Sequence, residues 1–248
     1  MWGGGGWIFN LGDNIGGLPA VIDFAGGTAV HINAGAAALA LALVLGKRVG
    51  FRKGLDKPPH NVPLTLLGAA ILWFGWFGFN AGAVGTAGLL GSEDSAAGLI
   101  IVNTLGATAA AILGWLVVEK IKDGKPTAVG AASGAVAGLV AITPSCANLA
   151  PGWALLLGVV AGALCALAVE LKFKLGFDDS LDVVGIHLVG GVIGTLYLAS
   201  SPPARASSSA VTPVSCSCSS SQRSACSSTR SCSPTSSASR SRRRSASA

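Results

Sequence analysis

The chain has 248 residues, of which 51% are hydrophobic, 11% are charged and 35 are glycine, so it is too apolar for a soluble domain of this length. Its net charge of +6 does not indicate a nucleic-acid partner, because seven of the seventeen basic residues are arginines beyond residue 200. Ten basic and eleven acidic residues precede that point, which leaves the body of the chain slightly acidic. We therefore expect an integral membrane protein that binds no nucleic acid.

Six apolar runs follow one another along residues 1–200. A membrane-spanning helix needs roughly 20 mostly apolar residues, and each run approaches or exceeds that length. The runs extend over about Val21 to Leu45, Pro63 to Leu90, Gly98 to Val118, Ala128 to Ile142, Trp153 to Leu171 and Leu181 to Ala199. The sequence therefore predicts an all-α, polytopic helical bundle with six spans in a lipid bilayer.

The loops between these runs alternate in charge. Basic residues are found in the first loop (Lys47, Arg48, Arg52, Lys53, Lys57), the third (Lys120, Lys122, Lys125) and the fifth (Lys172, Lys174). The second loop contains Glu93 and Asp94 without a basic residue, and the fourth contains no charge. Because loops rich in Lys and Arg remain on the cytoplasmic side, we expect the three basic loops there, with the protein in the plasma membrane.

Small residues recur at four-residue spacing within the runs. Such spacing lets helix backbones approach closely in lipid, so it predicts a tight bundle. The pairs and triplets are Gly78/Gly82, Gly130/Gly134/Gly138, Gly158/Gly162 and Gly190/Gly194.

Two histidines lie inside predicted spans, His31 in the first and His187 in the sixth. Both follow an Asp-x-x-Gly pattern, at Asp23 and Asp182, and both precede a glycine. The two helices are five spans apart and cross the membrane in opposite directions, which is the pattern of an inverted repeat with a substrate path at its centre. Two alternatives remain open: hydrogen-bonded core histidines, and a metal or haem pair.

A pair of neutral imidazoles in an apolar pore would favour one kind of solute. Imidazoles can accept a proton, donate one, and pass one between them. A permanently charged ion would lose its hydration and find too few ligands there. The pattern thus favours a small solute that can release its charge as a proton.

The segments that carry these residues resemble the Amt/Mep/Rh ammonium transporter family. They are Asp23-Phe-Ala-Gly-Gly-Thr-Ala-Val-His-Ile-Asn-Ala-Gly35, Gly75-Trp-Phe-Gly-Phe-Asn-Ala-Gly82 and Asp182-Val-Val-Gly-Ile-His187. The resemblance implies part of an eleven-helix inverted-repeat fold, with this chain similar to helices five to ten. It also implies a homotrimer with one pore per subunit, no enzyme activity, and no metal or cofactor.

The resemblance assigns roles to seven residues. It implies that His31 and His187 are the twin histidines of the pore. The outer recruitment site would contain Asp23, Trp2 (with Trp7 as the alternative) and Ala83, where the family often has Ser. Phe79 and Trp76 would form the gate and pore lining, although Trp76 also suits the membrane interface or core packing.

The two ends of the chain depart from the family pattern. Helices one to four are not represented, so we expect that this chain alone cannot enclose the pore. Residues 201–248 hold twenty serines, no glycine and four of the six cysteines, which predicts a disordered Ser/Arg-rich tail or a frameshifted translation, without a zinc site. Three hypotheses follow: ammonium transport, ammonium sensing with a cytosolic nitrogen-signalling partner, and a non-functional fragment.

Overall fold

The computed structural model describes Gly6, Asn10 and residues 22–51, 59–84 and 96–201, all within the unit Met1–Ala210. Regular structure in that part of the chain is helical, which confirms the predicted all-α bundle. The helices are α1 (Gly27–Leu45), α2 (Val62–Gly82), α3 (Ala97–Asp123), α4 (Ala128–Ile142), α5 (Pro151–Ala168), α6 (Leu171–Leu175) and α7 (Val184–Ser200). The predicted division of the chain at residue 200 stays a prediction, because residues 202–248 lie outside the described ones.

The six apolar runs correspond to α1 to α5 and α7. Among the described residues, four helices are long and apolar enough to cross a membrane: α1, α2, α3 and the continuous stretch Pro151–Leu175. Helices α4 and α7 are shorter, and the 15 residues of α4 would reach about 22 Å, less than the ~30 Å of a hydrocarbon core. The turns that follow α4 are buried within the protein, where irregular backbone is tolerated. The count of six spans stays a prediction.

Helix α3 forms the centre of the bundle because small residues let its neighbours approach. A Cβ at Gly158 or Gly162 of α5 would strike the carbonyls of Ala107 and Ala111 on α3. Likewise, Gly134 and Gly138 of α4 face α3, and Gly194 of α7 faces Ala141 of α4. These contacts explain the four-residue glycine spacing. Gly78 and Gly82 differ, since no described residue lies within 4 Å of a Cβ placed at either one.

Charged residues join three of the loops on one side of the bundle. Beyond α1, the Arg48 guanidinium donates from Nε and Nη2, each at 2.7 Å, to the carboxylate of Asp178, and the Arg48 backbone N–H donates at 2.8 Å. Lys122, near the end of α3, pairs with Glu170 between α5 and α6. The first, third and fifth loops therefore lie on the same side, as their charge pattern predicted. Which side faces the cytoplasm stays a prediction.

A second group of charged residues fixes the start of α7. Lys172 donates at 2.7 Å to the Asp182 carboxylate and at 3.3 Å to the carbonyl of Asp179. The Asp179 carboxylate accepts the backbone N–H groups of Val183 and Val184 at 3.1 and 2.7 Å. Its negative charge and its two accepted bonds stabilise an N-terminus that would otherwise expose free N–H groups.

We predict that Gly162→Ala lowers the stability of the bundle. The new methyl group would push α5 away from α3, at a cost of about 1–3 kcal/mol, the usual range for overpacking. Thermal unfolding of the purified chain in lipid nanodiscs measures the effect. Gly78→Ala is the matched control, since a Cβ there meets no other described residue, and equal losses from both substitutions would contradict the packing argument.

A second prediction concerns Asp178→Asn. The hydrogen bonds from Arg48, aided by the positive charges of Arg48 and Lys172, hold the pKa of the Asp178 carboxyl below its usual range. A lowered native pKa stabilises the fold above the unfolded pKa of about 3.9, and this contribution is lost as the pH falls through the native pKa. At pH 7 the variant should lose about 1.5–3 kcal/mol, the usual value of a hydrogen bond to a charged group.

Unfolding of wild type and variant across about pH 2 to 7 measures this difference. The two proteins should converge in stability towards acid. The exposed carboxylate of Asp123 provides the control, because Asp123→Asn removes a charge of the same sign on the same side. A stability gap that stayed constant with pH would argue against an ionic role for Asp178.

Candidate functional site

The two helices that carry the histidines begin in the same unusual way. Both α1 and α7 open with a π-helical segment, Gly27–Ile32 in α1 and Val184–Leu188 in α7, and each segment contains its histidine. Such segments are rare within helices and often occur at functional sites. A carboxylate caps each N-terminus. Asp23 accepts the N–H groups of Thr28 and Ala29 at 3.0 and 3.1 Å in α1, and Asp179 accepts those of Val183 and Val184 in α7.

The caps correct the repeat predicted from sequence. The structural counterpart of Asp23 is Asp179, which caps α7, whereas Asp182 pairs with Lys172 and has a positive φ of 56°. Asp23 and Asp179 each precede their histidine by eight residues. The sequence contains that shared spacing, but the Asp-x-x-Gly pattern predicted Asp182 as the counterpart instead.

The structure brings His31 and His187 together. Their Nδ1 atoms lie 3.4 Å apart, and their ring centroids are 5.4 Å apart with the planes tilted by 42°. His31 is only 3% exposed, whereas His187 is half-buried. In this contact one imidazole can donate its Nδ1 proton while the other accepts it.

Glycines bring the two histidine helices into contact. A Cβ at Gly35 of α1 would strike Leu188, and a Cβ at Gly191 of α7 would lie 2.9 Å from Ile32. Each glycine follows its own histidine by four residues, and each receives the residue directly after the other histidine. The contact is therefore nearly symmetric between the two antiparallel helices, as an inverted repeat requires.

Two aromatic residues of α2 pack beside His31. The Trp76 ring stacks on the imidazole with a centroid distance of 5.2 Å and an angle of 16°, and the Phe79 ring lies 5.9 Å away. Trp76 is 7% exposed, so it belongs to the packed interior and not to an interfacial belt. Phe79 is 41% exposed and forms the open side of this aromatic group.

A buried polar network behind His31 was missed by sequence reasoning. Its centre is the Thr143 hydroxyl, which lies 3.3 Å from Nε2 of His31. The same hydroxyl oxygen accepts a hydrogen bond from the Trp76 indole N–H at 3.1 Å. Asn80 Oδ1 lies 3.3 Å from the same hydroxyl, and Asn80 Nδ2 donates to Thr104 at 3.0 Å. Thr143, Asn80 and Thr104 are fully buried. The available signal was the presence of Asn80 and Thr104 inside otherwise apolar runs, whereas Thr143 lies just after the fourth predicted run.

The predicted recruitment residues are only partly described. Trp2 and its alternative Trp7 lie outside the described residues. Ala83 follows the last residue of α2 and is exposed, and Asp23 caps α1 as set out above. Within the described ranges, no three His, Cys, Asp or Glu side chains are close enough together to hold a metal ion.

Comparison with known proteins gives a consistent family. The model of the Ammonium Transporter Family matches residues 1–213. An ammonium transporter of Mycobacterium tuberculosis (strain H37Rv) is 63% identical over 194 residues, which are 78% of this chain and 38% of that protein. One of Bacillus subtilis (strain 168) is 47% identical over 195 residues, covering 78% of this chain and 44% of the relative.

Solved structures agree with the sequence comparison. The crystal structure of Saccharomyces cerevisiae Mep2 is similar with a TM-score of 0.68 and 41% identity, covering 78% of this chain and 41% of Mep2. A structure described as a "Sensor Amt Protein" has a TM-score of 0.67 and 36% identity, covering 79% of this chain and 46% of the other. The chain spans less than half the length of these relatives. With the family model matching most of its length, the chain belongs to the Ammonium Transporter Family.

Proposed function

We propose that this chain contributes to ammonium transport across a membrane, with His31 and His187 on the path of the solute. The observation that supports this proposal best is the 3.4 Å contact between their Nδ1 atoms inside an apolar bundle. Placing two imidazoles there would be costly without a purpose, because polar and ionisable groups within spans are expensive. Membership in the Ammonium Transporter Family supports ammonium as the cargo.

The chemistry of the pair suits ammonium. A cation stripped of water in an apolar passage has little to compensate its lost hydration, whereas ammonia and a proton can pass as separate species. In a pair of neutral imidazoles, one ring donates its N–H to the lone pair of the other. One lone pair of the pair then stays available to accept a proton from the solute. The pore would thereby select solutes that can be deprotonated.

The remaining predicted residues extend this path. Asp23, Ala83 and Trp2 would form the outer recruitment site, where an indole face stabilises a cation by ~0.5–2 kcal/mol. Phe79 and Trp76 would line the route next to His31, in keeping with their ring contacts. The basic loops would lie in the cytoplasm and the protein in the plasma membrane, as a homotrimer.

We predict that His31→Ala lowers uptake of labelled methylammonium by at least about tenfold, because it removes one member of the proton-sharing histidine pair. Uptake is measured in proteoliposomes that contain the chain, and in a full-length relative in which residues 1–200 replace the matching segment. His60→Ala is the matched control, because His60 is exposed and precedes α2. Unchanged uptake and selectivity in His31→Ala would refute the role of the pair.

A further prediction concerns Ala83→Ser. A hydroxyl at the exposed end of α2 adds an oxygen ligand for a recruited cation, and one such hydrogen bond is worth about 1 kcal/mol, or roughly fivefold in affinity. Uptake should rise at limiting ammonium and stay the same at saturation. Ala81→Ser, two residues earlier and buried, gives the comparison at a site turned away from solvent. No gain at low concentration would exclude Ala83 from the recruitment site.

Ammonium sensing is a second candidate, favoured by the similarity to the "Sensor Amt Protein" structure. The site around His31 and His187 would then report its occupancy to a cytosolic nitrogen-signalling partner, with the basic loop from Gly46 to Lys57 as part of the contact. The two functions differ in one measurement. Ammonium binding without methylammonium uptake would favour sensing, and uptake would favour transport. A correctly folded chain with neither property would be a non-functional fragment.

A further inference from the structure

The Thr143 hydroxyl lies 3.3 Å from Nε2 of His31 and contacts several other polar groups. We propose that Thr143 is a positioning residue that holds His31 as the Nε2–H tautomer, and that His187 therefore donates from Nδ1 and presents Nε2 as the open proton acceptor of the pair. The inference deepens the proposed function, because it names the atom at which the solute's proton would first be received.

The argument starts from the single proton of the Thr143 hydroxyl. Its closest acceptor is the carbonyl oxygen of Leu139, at 2.8 Å. That carbonyl is available because the Thr143 backbone N–H, at the end of α4, donates to Val140 instead. Asn80 Oδ1, at 3.3 Å, can share this proton only as a weaker second acceptor. Two oxygen acceptors thus compete for the hydroxyl proton, so the hydroxyl has no proton left to donate to Nε2 of His31.

The lone pairs of the same oxygen complete the assignment. A hydroxyl oxygen accepts two hydrogen bonds, and the indole N–H of Trp76 supplies one of them at 3.1 Å. Nε2 of His31, at 3.3 Å, can then interact favourably only by donating the second. An unprotonated Nε2 would place two lone pairs against each other in a buried site, which costs the desolvation of both groups.

The tautomer of His31 then fixes that of His187. A neutral imidazole protonated at Nε2 carries a lone pair at Nδ1, so Nδ1 of His31 accepts across the 3.4 Å contact. His187 must donate from Nδ1, which leaves the lone pair on its Nε2. Among the described residues that Nε2 has no hydrogen-bond partner, and His187 is the more exposed member of the pair. The hydrogen bonds therefore run in one direction, with His187 donating to His31 and His31 donating to Thr143.

The test is solid-state ¹⁵N NMR of the full chain, labelled at histidine and reconstituted in lipid at neutral pH. Protonated and unprotonated ring nitrogens have separate shifts, so the spectrum reports each tautomer directly. His60→Gln removes the signal of the third histidine, and His187→Gln in that background assigns His31. We expect His31 protonated at Nε2 and His187 protonated at Nδ1. The opposite assignment in the unaltered chain would overturn the proposal.

Substitutions then test the part played by Thr143. Thr143→Val removes the hydroxyl at nearly constant volume and should shift the His31 signal towards the Nδ1–H form, whereas Thr143→Ser should retain the Nε2–H form. Thr108→Val is the matched control, because Thr108 is equally buried and bonds the carbonyl four residues earlier, at 2.6 Å. Unchanged tautomers in a folded Thr143→Val chain would refute the positioning role.

These measurements need no flux, so they separate this proposal from the proposed function. A chain with the expected tautomers that fails to take up methylammonium would contradict transport and leave the role of Thr143 supported. If Thr143→Val fails to fold, the spectra of the unaltered chain and of Thr143→Ser still decide the assignment: a His31 Nδ1–H signal in either one would reject it.

Discussion

The close approach of α1 and α7 is the constraint on which the site depends. Gly35 and Gly191 leave room for Leu188 and Ile32, so the two backbones meet where an additional methyl group would force them apart. At this separation the two histidine side chains contact each other, with their Nδ1 atoms 3.4 Å apart. Carboxylate caps stabilise the N-termini of both helices, and the Arg48–Asp178 contact joins the end of α1 to the segment before α7.

The polar groups of the bundle interior share one physical requirement. Inside an apolar environment each donor and acceptor needs a partner from the protein itself. The Thr143 hydroxyl answers this requirement for Trp76 and for a carbonyl at the end of α4, while Asn80 bonds Thr104. Satisfying these groups also holds the aromatic rings against His31. Packing and polar pairing therefore act on the same few residues.

The sequence predicts some of these features and is silent on others. Apolar runs and loop charges were sufficient to place the helices, because hydropathy is what lipid selects. The histidines were conspicuous since ionisable residues are rare within spans. Asn80 and Thr143 were less conspicuous, because Asn80 is not ionisable and Thr143 lies just after the fourth predicted run. The cap at Asp179 and the π-helical segments depend on backbone geometry, which a motif match at Asp182 could not reveal.

Helix α2 shows what the polar contacts add to hydrophobic packing. It is apolar on all sides and only one face of it meets the rest of the described bundle, so burial by lipid alone would not favour one orientation about its axis. The hydrogen bonds of Trp76 and Asn80 supply that preference, since rotating the helix would break both within an apolar surrounding. They set the rotational register of α2, and that register is what aims Phe79 at the imidazole of His31.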